Sequence, residues 1–138
     1  MVKMKGPVFA TGKRKTSVAR AVLKQGDGKV LINDVPLDLY EPEFGRLRIR
    51  EVFMLADKLA EKYDIKVNVR GGGISSRVDA IRQAIAKALV EATNNEELKR
   101  KFLEFDRSLL VYDFRRTEPH KPSRSRQGSR RHKQRSKR

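Results

Sequence analysis

The sequence predicts an α+β fold, a two-layer sandwich in which one mixed sheet carries helices on a face, followed by an extended basic tail. Three observations carry that prediction. Short runs rich in β-branched residues dominate up to Asn33, two segments with a helical apolar period follow Arg46, and apolar side chains cease after Phe114. At 138 residues the chain divides into a body, 1–114, long enough for a single hydrophobic core, and an arm, 115–138.

In chain order, Val8 to Ala10 reads as a short strand ended by Thr11-Gly12, and Thr16 to Lys24 as a second strand. Gly26-Asp27-Gly28 is a tight-turn signal ahead of a compact strand, Lys29 to Asn33, so Thr16 to Asn33 is expected to be a hairpin. Asn33-Asp34 and Pro36 break that strand, and Leu37 to Gly45 reads as irregular connection. From about Arg46, Val52, Leu55, Ala56, Leu59 and Tyr63 share one helical face. Ile65, Val67 and Val69 alternate with Lys66, Asn68 and Arg70, as a half-buried strand does. After Gly71-Gly72-Gly73, Ser76 is placed to cap a helix whose buried stripe is Val78, Ile81, Ile85, Leu89 and Ala92. Thr93-Asn94-Asn95 separates it from a shorter helix with Leu98, Phe102 and Phe105 on one face. The element order is strand, strand, strand, helix, strand, helix, helix.

The arm carries eleven Lys/Arg against one acid, Glu118, and so holds ten of the sixteen net positive charges. With no apolar surface to offset the entropy of ordering, it is expected to be extended in free solution and ordered only by a polyanion. The body is positive too, the sequence pI is about 10.6, and the whole field favours nucleic acid or an anionic membrane. No apolar run approaches the roughly 18 residues that span a bilayer, so no membrane partner is expected. Zero cysteines excludes disulfides and thiol chemistry, and an intracellular protein is expected.

Two features of the body suit phosphate. Lys13-Arg14-Lys15 concentrates three cations beside Gly12. Arg70-Gly71-Gly72-Gly73, flanked further on by Arg77, runs from strand to helix, where backbone N–H groups can close on an anion; replacing Gly72 by Val is expected to block that approach without unfolding the body. A nucleotide-hydrolysing P-loop is rejected: five residues separate Gly6 from Gly12-Lys13 where four are needed, and Arg14 stands where Ser or Thr must bind magnesium. The two histidines, His120 and His132, both lie in the arm, and the body's carboxylates have no His or Cys to pair with, so neither an enzyme nor a metal or other cofactor is expected. A phosphotransferase would need a magnesium-binding carboxylate near Gly71–Gly73. The conjunction of arm, cation cluster and glycine loop points to structured RNA; the alternative is a free nucleic-acid chaperone or a DNA-compacting protein.

Ala10-Thr11-Gly12-Lys13-Arg14-Lys15-Thr16-Ser17-Val18-Ala19-Arg20-Ala21, Arg70-Gly71-Gly72-Gly73-Ile74-Ser75 with Ala80 to Leu89, and Tyr112-Asp113-Phe114-Arg115-Arg116-Thr117-Glu118-Pro119-His120-Lys121-Pro122 together resemble the family of the ninth small-subunit ribosomal protein, in its archaeal and eukaryotic branch. The resemblance implies a β-β-β-α-β-α core with a left-handed crossover, similar to the second domain of the fifth small-subunit protein. It implies a cytoplasmic place in the head of the small ribosomal subunit, among neighbouring ribosomal proteins. It implies rRNA contacts for Lys13, Arg14, Lys15, Arg70, Gly71, Gly72, Gly73, Arg77, Arg115, Arg116, Lys121, Arg124, Arg126, Arg130, Arg131, Lys133 and Arg135. By motif position, Ser136, Lys137 and Arg138 are expected to reach the peptidyl-site tRNA. Two positions depart from the family pattern: Phe114 stands where this branch usually has proline, and no aromatic residue precedes Ser136-Lys137-Arg138.

Overall fold

The computed structural model describes residues 6–122. Its five strands are β1 (Val8–Arg14), β2 (Ser17–Gln25), β3 (Val30–Ile32), β4 (Val35–Pro36) and β5 (Tyr63–Arg70), and its helices are α1 (Glu43–Ala56), α2 (Ile74–Thr93) and α3 (Glu96–Phe105). They form one mixed sheet in the order β1-β2-β5-β3-β4. The inward residues of β2 and β5, among them Ala19, Ala21, Leu23, Ile65, Val67 and Val69, are buried. The α+β sandwich is as the residue pattern implies.

β1 does not stop at Thr11-Gly12. It runs on to Arg14, pairing Gly12 with Ala19 and Lys13 with Val18. Gly12 is there because the strand presses against α2: a Cβ at this position would lie 2.6 Å from the Ala84 amide nitrogen and closer still to the Ala80 carbonyl oxygen. The Lys13 N–H, on the sheet's edge, donates to Gln83 Oε1 at 2.8 Å. The turn to β2 therefore falls at Lys15, which takes φ 51°.

The expected Thr16–Asn33 hairpin is also corrected. The glycines do turn the chain, but β3 pairs in parallel with β5, and β5 lies between it and β2. β5 matches β2 over eight residues and presents Ile65, Val67 and Val69 to the core, which three-residue β3 cannot do. Asp64 fixes the arrangement: its Oδ1 accepts the N–H groups of Asp27 and Lys29, both at 2.9 Å.

α1 begins before Arg46 and buries Gly45, Ile49, Val52 and Ala56. It ends where Asp57 adopts φ 51°, so Leu59 lies in a 3-10 turn (Asp57–Lys62) and Tyr63 in β5, off the face predicted for them. α2 buries the whole predicted stripe, Val78, Ile81, Ile85, Leu89 and Ala92; each large aliphatic residue there contributes about 1.5–3 kcal/mol. Ser76 is not its cap. Gly73 precedes the helix, and Ser76, on its first turn, accepts the Gly73 N–H at 3.1 Å. Asn94 closes α2 in the left-handed conformation, and Asn95 Oδ1 caps α3 by accepting from Glu97 N–H at 2.9 Å. Leu98 and Phe102 are buried; Phe105 faces solvent, because the short helix only grazes the core.

Beyond α3, Leu109 returns to the core and Asp113 makes a parallel bridge to Arg14. The arm thus leaves beside the end of β1, heading the way β1 heads. The cations Arg124, Arg126, Arg130, Arg131, Lys133 and Arg135, with Ser136, Lys137 and Arg138, lie outside the described residues.

Candidate nucleic-acid interface

Antiparallel pairing on both sides of β2 brings distant segments to one end of the sheet, since Ser17 faces Arg14 and Val18 faces Arg70. There the β1–β2 turn meets the loop from β5 to α2. Gly71 and Gly72 hold φ 78° and 66°, values that side chains on Cβ disfavour. A Cβ on Gly72 would also run into Ser17 Oγ and lie 2.7 Å from Ser76 Oγ. Those two hydroxyls form a buried pair at 2.9 Å, and Ser17 donates to the Gly71 carbonyl at 2.9 Å. Gly72→Val is therefore a lesion of the body, not the fold-neutral probe expected from sequence.

Gly73 is different. Apart from its chain neighbours, nothing lies within 4 Å of where its Cβ would stand. It faces a groove lined by Arg14, Lys15, Thr16, Ile74, Ser75 and Asp79, onto which the first turn of α2 opens. The N–H groups of that turn have no intrahelical acceptors, and a 20-residue helix adds its dipole to them. Lys15, Arg70 and Arg77 are exposed around this end; Arg77 donates its Nε to Gly71 O at 3.0 Å and so is tied to the loop.

The arm's origin joins the same end. Arg14 Nη1 sits 2.6 Å from Asp113 Oδ2, and Arg115 grips Asp113 through Nε at 3.0 Å and Nη2 at 2.7 Å. Hydrogen bonds from the Arg115 side chain and backbone, and the charges of Arg115 and Arg14, hold the Asp113 carboxyl down to about 2. Arg14 and Arg115 are thus partly spent on fixing where the arm starts. Arg116 donates to Tyr112 Oη at 3.0 Å, and Lys121 is exposed further along.

Behind the groove stands an ionic framework that the motifs did not reveal. Asp79 lies 3.4 Å from Arg48 Nη1 and 3.7 Å from Arg82 Nη1. Arg82, whose side chain is 3% exposed, also reaches Glu51 at 3.0 Å and Asp106 at 3.8 Å. One guanidinium therefore ties α1, α2 and the end of α3 together. The only hint in the sequence was the Asp79/Arg82 spacing of three on a helix. The groove's one carboxylate is occupied internally, which leaves Lys15 and the helix start to set its potential. Such a rigid, cation-rimmed groove suits a phosphate group held by backbone donors.

Comparison with known proteins is consistent across the chain. A family model described as Ribosomal protein S9/S16 matches residues 12–138. The protein named Small ribosomal subunit protein uS9 from Methanococcus maripaludis strain C7 is 50% identical over 129 residues, covering 94% of this chain and 96% of the relative. Its namesake from Methanococcus vannielii is 47% identical over the same span. With the matched region running from the cation cluster through the glycine loop and the arm, the chain belongs to the ribosomal protein S9/S16 family.

Proposed function

We propose that this chain is a structural constituent of the small ribosomal subunit of the cytoplasm, binding subunit rRNA through the β1–β2 turn, the Gly71–Gly73 loop and the arm. Its family is one of ribosomal proteins, not of enzymes. The observation that carries the reading is convergence: Lys15, the start of α2 at Gly73, Arg70, Arg77 and the origin of the arm share one end of the sheet. Phosphate is held by α2 N–H groups and by Lys15, Arg70 and Arg77, with Lys13, Arg116 and Lys121 adding screened attraction. Arg14 and Arg115 act mainly by fixing the arm's departure. The arm then follows the rRNA backbone with Arg124, Arg126, Arg130, Arg131, Lys133 and Arg135, beside neighbouring ribosomal proteins.

Gly73→Asp tests this reading. Asp is a better helix cap than Gly and its Cβ has open space, so the fold should be retained, while its charge repels phosphate. Filter binding to small-subunit rRNA should show at least about tenfold weaker affinity, about 1.4 kcal/mol. Wild-type affinity in the folded variant would show the loop to be only a turn.

Ser136, Lys137 and Arg138 fall inside the family-matched region, which supports a role at the peptidyl-site tRNA. Arg138 offers a planar fork of donors and Lys137 a point charge, so the contact is to backbone and independent of tRNA identity. Deleting the three residues should leave subunit assembly intact and weaken tRNA binding, by at most about 1.5–3 kcal/mol per charged hydrogen bond. Equal tRNA affinity across a salt series would remove the tip from this role.

A further inference from the structure

The sheet has a second face, opposite the helices. The register places its outward residues in rows: Lys13, Val18 and Arg70; then Thr11, Arg20 and Asn68; then Phe9, Val22, Lys66 and Leu31; then Lys24 and Asp64. Five of these are cations. Among the outward residues of β1, β2 and β5, Asp64 is the one acid, and its carboxylate is already engaged by the Asp27 and Lys29 amides. Lys66 pairs with Asp34 at 2.6 Å, both exposed, a contact that a polyanion readily replaces. Arg20, Lys24, Asn68 and Arg70 are exposed, and Phe9 is 67% exposed.

We propose that this open face is a second RNA surface, across which an rRNA backbone lies with its phosphates on Arg20, Lys24, Lys66 and Arg70. The inference rests on the rRNA-binding reading and extends it beyond the glycine-loop groove. Three features select RNA over a protein partner. The cations stand on diagonals between neighbouring strands, about 7–8 Å apart, so that Val18, Val22 and Leu31 are separated by charge and form no continuous apolar centre of the kind a protein interface has. Thr11 and Asn68 put uncharged hydrogen-bonding groups between the charges, suited to sugar hydroxyls. Phe9, exposed beside the cations, offers a ring for an unstacked base. Lys13 and Arg70 sit in the row next to the β1–β2 turn, so the two surfaces are continuous and one RNA can pass from groove to sheet.

The test uses the full chain with Arg20→Gln, Lys24→Gln and Lys66→Gln combined, positions outside the groove. Binding to small-subunit rRNA over a salt series should lose at least about tenfold in affinity near 0.15 M, and the log–log salt slope should flatten by about 0.9 per contact removed, roughly two to three in all. A benzophenone side chain at position 9, irradiated in assembled subunits, should attach to RNA. Wild-type affinity and slope in the triple variant, or an adduct to protein alone, would overturn the proposal. If Gly73→Asp weakens binding while the triple variant does not, only this second surface fails; if neither weakens it, the glycine-loop groove fails as well and rRNA binding falls to the arm.

Discussion

The two ends of the β2–β5 pair are both turned by glycines, and they are chemically opposite. At the Gly26–Gly28 end, Asp64 places its own carboxylate among the backbone donors, taking the N–H groups of Asp27 and Lys29 at 2.9 Å each. At the Gly71–Gly73 end, the start of α2 opens on a groove whose only carboxylate, Asp79, is engaged by arginines. The first end supplies its own anion and is finished as a fold. The second leaves its donors and Lys15 open, where the proposed phosphate would sit. Glycine content alone does not separate a turn from a phosphate loop; what occupies the donors does.

The largest expected effect comes from breaking the second end outright. Gly72→Val combines positive φ with collision against the Ser17/Ser76 hydroxyl pair, and thermal unfolding should show a loss of about 3 kcal/mol or more. Arg82→Ala removes the guanidinium behind the groove. Its carboxylate partners keep some water, so the loss should be about 2–3 kcal/mol, below the 3–5 of a fully buried pair, measured by urea unfolding. Gly73→Asp makes the second end resemble the first. Stability should change by less than about 1 kcal/mol in either direction, while rRNA affinity falls; a large loss of stability would mean that Gly73 is as constrained as Gly72.

The smallest effect is acid sensitivity. Backbone N–H bonds from Lys29 and Asp27 lower the Asp64 carboxyl below its usual value, and Arg115 lowers that of Asp113 to about 2. Both are depressed in the fold, so their contribution is present above the usual carboxylate range and is lost as pH falls toward about 2. Urea midpoints taken between pH 5 and 2 should fall. Asp64→Asn should flatten that fall and speed amide exchange at Asp27 and Lys29, and Asp113→Asn should flatten it while leaving those two amides protected. Unchanged exchange in Asp64→Asn would dissolve the contrast between the two ends.

Much of this was legible in the residues because periodicity is a local property. The alternation of Ile65, Val67 and Val69 and the Val78, Ile81, Ile85, Leu89 stripe report burial directly. The cation cluster and the glycine loop were visible as separate motifs for the same reason. What adjacency in the chain could not give was adjacency in the sheet: the Gly26–Gly28 turn argued for a hairpin, yet β5, from more than thirty residues later, takes the place beside β2 because its longer apolar row satisfies the core.

The sequence by itself determined the class of fold, the helix-facing residues and the basic arm, all consequences of side-chain type and short-range spacing. Only the tertiary structure decided that Gly12 is a contact with α2, that Gly72 is walled in while Gly73 is open, that Arg82 joins three helical segments, and that Lys15, Gly73 and the origin of the arm share one end of the sheet. These facts depend on which surfaces approach one another across tens of residues. Long-range packing sets that, and no local pattern encodes it.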